Sequence, residues 1–458
     1  MIKKALALCL LGCAPLTSQQ IPAPTELPGD IFYIKQTLPV GGNRDNLSYT
    51  TLDPLRLQLF LAYQHEVVVE DVKSDTVAGK ISGANGAFGI ALDNTGEFGY
   101  VSDGKLNQLD VFDRRTFEVV GIIPTAPNPG TVTFESVSGL IFVTCILPAS
   151  GRNEAIELAD RPMLRTDVRV PPVPTRASQA HPLKREGQPK TLAKGNKSEF
   201  TTIIRVIDSN SWRAIADLQL PNHVAFAQAA GDGNLYFGIP EKSEIARMDA
   251  EALRERFRRE SSDALDAGPT PKEMQLRAGR PFDLVAHGWG NSVPMPKVAM
   301  LNLTDSRSVL EEGTIQILFF PLEQGCGEPR ALAVDGRHIR LFVACGNMKM
   351  NVMNADTGAT VATLPTDPGT EALAYDRDRG LIYAASSGSD GSLTIIRQDV
   401  TDSYAVIQRL PMPLWARTLS VDPITGLVYL VNDYRKSEPE KHPSAPDQGS
   451  FQLNVIGH

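Results

Sequence analysis

The stretch "RALAVDGRHIRLFVACGN" (330–347) consists of two short apolar runs joined by a polar turn. Short runs rich in Val, Ala and Phe that are bounded by turn residues predict β-strands. Asp335 opens the turn, where its carboxylate can accept a hydrogen bond from the backbone N–H two residues further on. We therefore expect a β-hairpin whose strands cover 330–334 and 339–345.

The same hairpin pattern recurs along the chain. Close copies cover 88–104, 371–388 and 417–433, and weaker copies cover 48–65, 130–145 and 223–240. Most copies are followed by a second hairpin, such as "LDVFDRRTFEVVGIIP" (109–124). Four strands that repeat at a period of roughly 40 residues predict a β-propeller. Since there are seven copies, we expect an all-β, seven-bladed β-propeller.

The two ends of the chain together supply the four strands of the last blade. The last copy supplies only three strands, "RTLSVD", "LVYLVN" and "FQLNVIGH". The missing outer strand is present near the other end as "DIFYIKQTLPV" (30–40). Pairing the N-terminal strand with the last blade would close the ring and leave no open sheet edge there. The predicted propeller thus covers 30–458 in four-stranded blades.

Strand endings such as "YVSDG", "YLVND" and "FVACGN", together with "D..TG" turns, carry a family resemblance. The chain resembles the YVTN-repeat seven-bladed propellers of bacterial surface and periplasmic proteins. The resemblance covers nearly all of the mature chain and implies a WD40-like ring outside the cytoplasm. It does not imply one activity, because related propellers include hydrolases, quinoproteins and binding domains.

Two segments interrupt the repeat. Residues 148–199 separate the second and third strands of the third blade and are rich in proline and basic residues, so we expect no core there. Residues 249–312 precede the last strand of the fourth blade, "TIQILFF". Their start contains Leu253 and Phe257 at helical spacing, which predicts a short surface helix. The remainder of this insertion is expected to add extra strands.

The first residues resemble the signal of a bacterial lipoprotein. Lys3 and Lys4 precede a short apolar run, and "LLGC" ends at Cys13. The run is shorter than the roughly 20 residues that span a bilayer, so 1–12 is predicted to be a cleaved signal peptide. Cys13 would carry the lipid, and 13–29 would form a tether; the alternative is a plain signal peptide with a chance cysteine. Because Ala14 rather than aspartate follows, the outer membrane or cell surface is favoured over retention at the inner membrane.

The charge of the chain argues against nucleic acid as a partner. The formal net charge is −8, and removing the signal with its two lysines makes it −10. An acidic protein repels the phosphate backbone, whereas nucleic-acid-binding domains are basic. We therefore expect the membrane, through the lipid anchor, and either a protein or a small anionic ligand as partners.

Candidate binding residues follow from aligning the seven copies. The first strand of each blade lines the central channel, and the alignment places one residue per blade at its start: Ser48, Phe88, Gly130, His223, Arg330, Glu371 and Arg417. Arginine can hold a carboxylate or phosphate with two hydrogen bonds, and histidine can act as acid, base or metal ligand. We predict a ligand site at the channel mouth built from Ser48, His223, Arg330, Glu371 and Arg417. Alternatively, Arg330, Glu371 and Arg417 form a salt-bridged ring that only fills the channel.

The positions of the cysteines and histidines indicate a structural disulfide rather than a metal or redox centre. Antiparallel pairing in 330–347 brings Cys326 close to Cys345, which predicts a disulfide in an oxidising compartment and leaves Cys145 unpaired. His338 lies in the turn at the other end of the hairpin. The chain has no CxxC or CxxCH motif and no close-spaced histidine pair, so we expect no metal, no cofactor and no assigned catalytic residue.

These observations favour a lipid-anchored, extracytoplasmic propeller that binds a ligand or a protein without catalysis. The alternative is a lactonase-like hydrolase that uses a divalent cation at the channel mouth. Such a cation needs several carboxylate or amide oxygens. The aligned positions supply two arginines and one carboxylate, which argues against the enzyme.

Overall fold

The computed structural model describes residues 31–40, 47–63, 65–84, 86–148, 200–262, 269–278, 299–302, 317–323, 325–388, 391–400, 402–412, 416–433 and 451–458. Its strands form seven sheets, and in each sheet the neighbouring strands of the repeat pair in antiparallel fashion. Inner strands of successive sheets contact one another around the ring, including the last with the first. The predicted seven-bladed propeller is confirmed.

Blades 1 to 3 follow one another along the chain. Blade 1 contains β2 (Leu47–Asp53), β3 (Gln58–Tyr63), β4 (Val67–Asp71) and β5 (Thr76–Ile81). Blade 2 contains β6 (Ala87–Leu92), β7 (Phe98–Asp103), β8 (Gln108–Asp113) and β9 (Val119–Pro124). Blade 3 contains β10 (Pro129–Glu135), β11 (Leu140–Pro148), β12 (Phe200–Asp208) and β13 (Arg213–Leu220).

Blades 4 to 7 complete the ring. Blade 4 contains β14 (Phe226–Ala229), β15 (Asn234–Ile239), β16 (Glu244–Asp249) and β18 (Ile317–Pro321). Blade 5 contains β19 (Pro329–Asp335), β20 (Arg340–Cys345), β21 (Lys349–Asn354) and β22 (Thr360–Pro365). Blade 6 contains β23 (Thr370–Asp376), β24 (Leu381–Ser386), β25 (Ser392–Val400) and β26 (Ser403–Pro411). Blade 7 contains β27 (Ala416–Val421), β28 (Val428–Asp433), β29 (Phe451–Gly457) and β1 (Tyr33–Pro39).

The N-terminal strand closes the ring as the sequence predicted. The outer strand β1 pairs with β29, with Ile34 opposite Ile456 and Thr37 opposite Asn454. The backbone N–H and C=O of Phe32 also bond the side-chain amide of Gln408 on blade 6, at 2.8 and 2.7 Å. The first strand is thus attached to two blades that lie almost a whole chain length away in sequence.

The core is divided among the gaps between blades. Each adjacent pair of blades encloses one cluster of buried apolar side chains, so that the described residues form seven such clusters. In β3, for example, Leu59 and Leu61 face blade 7, whereas Phe60 and Ala62 face blade 2. Both faces of a blade are therefore buried, which explains why the second strands are apolar throughout rather than alternating.

Acidic side chains close the turns between first and second strands. Oδ1 of Asp53 accepts the N–H of Leu55 at 3.0 Å, and Oδ1 of Asp335 accepts the N–H of Arg337 at 3.1 Å. Asp376 and Asp422 make the same contact two residues on. These carboxylates are almost completely buried, and the predicted role of Asp in the hairpin turns is confirmed.

The second insertion is more structured than the sequence predicted. It contains α1 (Ala250–Ser262), α2 (Pro271–Ala278) and β17 (Ala299–Asn302). Leu253 and Phe257 of α1 pack into the apolar cluster between blades 3 and 4, so this helix is part of the core on one side. Strand β17 pairs in parallel with β13, which makes blade 3 a five-stranded sheet.

Candidate functional site

The predicted channel-mouth residues share one backbone feature. In six blades of the described chain, the register between the first and second strands slips at the start of the first strand. The slips include the aligned residues Ser48, Phe88, Gly130, Arg330, Glu371 and Arg417, and in blades 2 and 3 they also span Gly89 and Thr131. A β-bulge of this kind bends the strand and re-aims a side chain. We call the face on which the first strands begin the channel-mouth face.

Blade 4 differs from the other blades. Its first strand, β14, begins at Phe226 and pairs with β15 without a slip. His223 therefore precedes the strand instead of beginning it, contrary to the alignment. Its backbone N–H donates to Oε2 of Glu241 at 3.0 Å, and its ring packs against Phe200 with 6.0 Å between ring centroids. His223 still lies on the channel-mouth face, beside Phe200, the first residue after the predicted insertion 148–199.

Arg330 is paired within its own blade. Its Nη2 lies 3.2 Å from Oε2 of Glu328, and the two side chains are 48% and 66% exposed. An exposed pair of this kind contributes only ~0–1 kcal/mol. The guanidinium can therefore exchange Glu328 for a ligand at small cost. Glu328 was missed in the sequence, although it stands two residues before Arg330.

Glu371 is half-buried and is held by a hydroxyl group. Ser387 Oγ donates to Oε1 of Glu371 at 2.9 Å and lies 3.1 Å from the carbonyl oxygen of Gly369. Ser387 stands in the loop between β24 and β25, which lies on the same face. This contact orients the carboxylate without neutralising it, so a cationic or hydrogen-bond-donating group can still bind there.

The contacts found for Arg330 and Glu371 do not join these residues to one another. Arg330 pairs with Glu328, and Glu371 accepts from Ser387. The side chain of Arg417 lies outside the described part of the chain, although its backbone forms the bulge of β27. Ser48 is half-buried at the bulge of β2. Among the described side chains, Arg330 and Glu371 thus have separate partners, and both the predicted ligand site and the alternative salt-bridged ring with Arg417 remain predictions.

The loops between second and third strands add charged and apolar groups to this face. Lys105 Nζ lies 3.0 Å from Nδ1 of His65, and Lys80 pairs with Glu66 at 2.9 Å. Exposed apolar side chains lie among them: Phe88, Leu106, Phe200 and Met348 are each at least 41% exposed. The result is a mixed surface of charges and isolated apolar groups.

The cysteines are arranged as the sequence predicted. A disulfide joins Cys326 to Cys345, with 5.3 Å between their Cα atoms, and both residues are buried. His338 lies at the far end of the hairpin, where its Nδ1 is 2.6 Å from Oδ2 of Asp335. Cys145 is a buried free thiol, and burial raises its pKa to about 12. Such a thiol stays protonated at neutral pH and is a poor nucleophile.

The described residues contain no group of three or more His, Cys, Asp or Glu side chains placed to hold a metal ion. Within the same residues, no helix is both long and apolar enough to cross a membrane. The predicted signal peptide, Cys13, the predicted tether 13–29 and residues 149–199 lie outside the described part, so the predictions made for them remain predictions.

The ring, its channel mouth and its mode of closure define the chain as a seven-bladed β-propeller. No protein-family model and no curated protein matches it. Among solved structures, it is similar to a chain of the mitotic checkpoint complex, with a TM-score of 0.56 and 11% identity over 98% of this chain and 99% of that chain.

Two further solved structures are similar to the chain over nearly its whole length. The RRP9 WD40 repeats have a TM-score of 0.54 and 8% identity, over 96% of this chain and 100% of that chain. U3-55K has a TM-score of 0.52 and 8% identity, over 94% of this chain and 100% of that chain. At this level of identity, the similarity shows that the chain has a WD40-like fold.

Proposed function

We propose that the protein is an extracytoplasmic, lipid-anchored propeller of the YVTN type that binds a partner through its channel-mouth face. The observation that carries this proposal is the row of β-bulges at the start of the first strand in six blades, which lie on the same face of the ring and can re-aim the side chains there. A surface with separate charges and isolated exposed apolar groups suits a protein partner, because interfaces combine apolar contacts with a polar rim. One of the similar structures is itself part of an assembly, the mitotic checkpoint complex.

A photo-crosslinking residue placed at Arg330 tests the binding face. We expect a discrete crosslinked product from cells carrying this variant. The matched control places the same residue at Arg337, which is exposed in the β19–β20 turn on the opposite face of blade 5. Products from position 337 alone, or equally from both positions, would rule out the channel mouth as the binding face.

The proposed location rests on the sequence of the first residues and is supported by the disulfide Cys326–Cys345, since such bonds persist in oxidising compartments. The variant Cys13→Ser should move the protein from the membrane fraction to the soluble fraction, because it removes the lipid attachment site. Cys145→Ser is the matched control and should leave the distribution unchanged. If Cys13→Ser remains in the membrane fraction, the lipid anchor is disproved.

A further inference from the structure

The second insertion builds a cleft on the side of blade 3. Helix α1 follows β16 and packs through Leu253 and Phe257, while the start of α2 lies against the turn between β12 and β13. The N–H of Lys272 donates to the carbonyl oxygen of Ser211 at 3.1 Å, and Lys272 Nζ lies 4.6 Å from the centroid of the Phe98 ring. Between these elements is a cleft of about 500 Å³. This volume is within the range of roughly 300–1,000 Å³ found for small-molecule sites.

Three arginines line the cleft: Arg213, Arg254 and Arg258. Arg213 is the first residue of β13. Arg254 and Arg258 are four residues apart on α1 and therefore project from the same side of the helix. The carboxylate of Asp208 also lines the cleft, so three guanidinium groups and one carboxylate leave it with a net positive charge in a protein whose formal charge is −8. Such a cleft attracts anions from solution.

The three arginines are engaged to different degrees. Arg254 Nη1 lies 3.2 Å from Oδ1 of Asp208 and also donates to the carbonyl oxygen of Ser138, so this side chain is a structural anchor. Among the described residues, the contact found for Arg258 is an exposed one of 3.4 Å with Glu255. No carboxylate among the described residues pairs with Arg213. The guanidinium groups of Arg213 and Arg258 are therefore the ones that can bind a ligand.

The remaining walls supply a hydroxyl group and an apolar floor. Thr270 Oγ1 accepts the N–H of Glu273 at 3.2 Å in the first turn of α2, which leaves its O–H as a donor. Phe257 and Ile215 provide the apolar part of the lining. Small-molecule sites commonly combine a few polar groups that fix orientation with apolar walls that bury the rest of the ligand.

We propose that this cleft binds a small organic oxyanion, with its charged group held by Arg213, Arg258 and Thr270 and its apolar group against Phe257 and Ile215. Guanidinium groups match the geometry of phosphate and carboxylate oxygens. This site is separate from the channel mouth, and its occupation does not depend on the function proposed for that face.

Phenyl phosphate is a suitable probe, and isothermal titration of the mature chain at low salt is a suitable measurement. We expect saturable binding of phenyl phosphate, with inorganic phosphate and phenol each at least roughly tenfold weaker, because each lacks one of the two recognised parts. Arg213→Gln and Arg258→Gln should each lower the affinity by roughly tenfold or more. Arg258 is exposed, so its replacement leaves the fold intact.

Arg115→Gln is the matched control, because Arg115 is an exposed arginine in the corresponding turn of blade 2 and carries the same charge. It should not change the affinity. Absence of saturable binding, unchanged binding by Arg213→Gln and Arg258→Gln, or equal affinity for inorganic phosphate would overturn the proposal.

Discussion

Asp110 is a buried carboxyl group for which the described residues supply no cationic partner. It lies on β8 and is 2% exposed, and its Oδ1 accepts a hydrogen bond from Gln108 Nε2 at 2.6 Å. Burial raises its pKa to about 7, and the nearby charge of Asp103 acts in the same direction. Arg205 occupies the corresponding place in blade 3, three residues before the turn, and is paired with Asp217 at 2.6 Å. At equivalent positions of the repeat, the buried Asp110 thus has a raised pKa and a neutral hydrogen-bond partner, whereas the buried Arg205 has an ion pair.

Asp110 should make stability depend on pH. Its pKa in the folded protein is about 7, above the ordinary value of 3.8, so the folded state binds the proton more tightly than the unfolded state does. The associated stability is fully present below about pH 4 and is lost as pH rises through about 7. Relative to Asp110→Asn, the wild type should lose on the order of 3 kcal/mol of unfolding free energy between pH 4 and pH 8.

Urea unfolding of the two proteins at several pH values measures this difference. Glu97→Gln is the control, since Glu97 is exposed on the same blade, and its difference from wild type should not vary with pH in this way. A constant difference between wild type and Asp110→Asn from pH 4 to pH 8 would show that Asp110 titrates normally.

The roles of individual residues were only partly predictable. The turn carboxylates were predicted correctly, because their hydrogen bonds lie within a few residues along the chain. The partners of Arg330 and Glu371 were not predicted, although Glu328 and Ser387 are in the same blades. Which side chain reaches Arg330 depends on where the bulge of β19 aims it, and a bulge has no clear sequence signature here.

At the scale of elements, α2 protects the outer edge of blade 2. Gln275 is completely buried and bonds both backbone groups of Ile122 on β9, with Oε1 accepting the N–H at 2.7 Å and Nε2 donating to the carbonyl at 3.1 Å. The Gln275 side chain thus makes the two hydrogen bonds with Ile122 that a neighbouring strand would otherwise make. An uncovered edge strand invites pairing with other chains.

Gln275→Ala should uncover this part of the edge. We expect a loss of about 1–3 kcal/mol in the free energy of unfolding, because the two backbone groups of the half-buried Ile122 lose their partners. Hydrogen exchange of the β9 amides, especially that of Ile122, should become faster. Arg277→Ala changes an exposed residue of the same helix and should alter neither quantity. Unchanged exchange in β9 would mean that α2 does not protect the edge.

The sequence contains a local signal for the start of α2. Thr270 and Glu273 have the spacing of a capping box, and Pro271 stands at the first helical position. In the structure, the N–H of Thr270 donates to Oε2 of Glu273 at 2.9 Å, and the N–H of Glu273 donates to Thr270 Oγ1. The pairing of β17 with blade 3 had no comparable signal. It joins residues more than 80 positions apart, and no local pattern specifies such a partner.

At the scale of the whole molecule, the closure of the ring can be compared with an equivalent contact inside a blade. In blade 5, Thr363 Oγ1 donates to Oδ1 of the buried Asn351 at 3.1 Å, between neighbouring strands of one hairpin. In blade 7, Thr37 Oγ1 donates to Oδ1 of the buried Asn454 at 2.9 Å, between the two ends of the chain. The chemistry is the same, but only the second contact closes the ring.

The variants Thr37→Val and Thr363→Val therefore form a matched pair. Each leaves one buried amide oxygen without its donor, so each should lose about 1–2 kcal/mol of stability. Only Thr37→Val should also speed hydrogen exchange throughout β1 and β29, because β1 can separate from the ring while the other blades remain folded. Equal, local effects of the two variants on exchange would show that the closure does not depend on this contact.

The sequence by itself determined the architecture. Strand pattern, turn residues and blade number are repeated locally, so seven copies of one signal specify the ring and its closing strand. Only the tertiary structure decided which polar groups meet. It separated Arg330 from Glu371 at the channel mouth, buried Asp110 and brought Arg213 beside α1. These contacts join residues from different blades or from an insertion, and their distances depend on bulges and helix packing that no repeated pattern encodes.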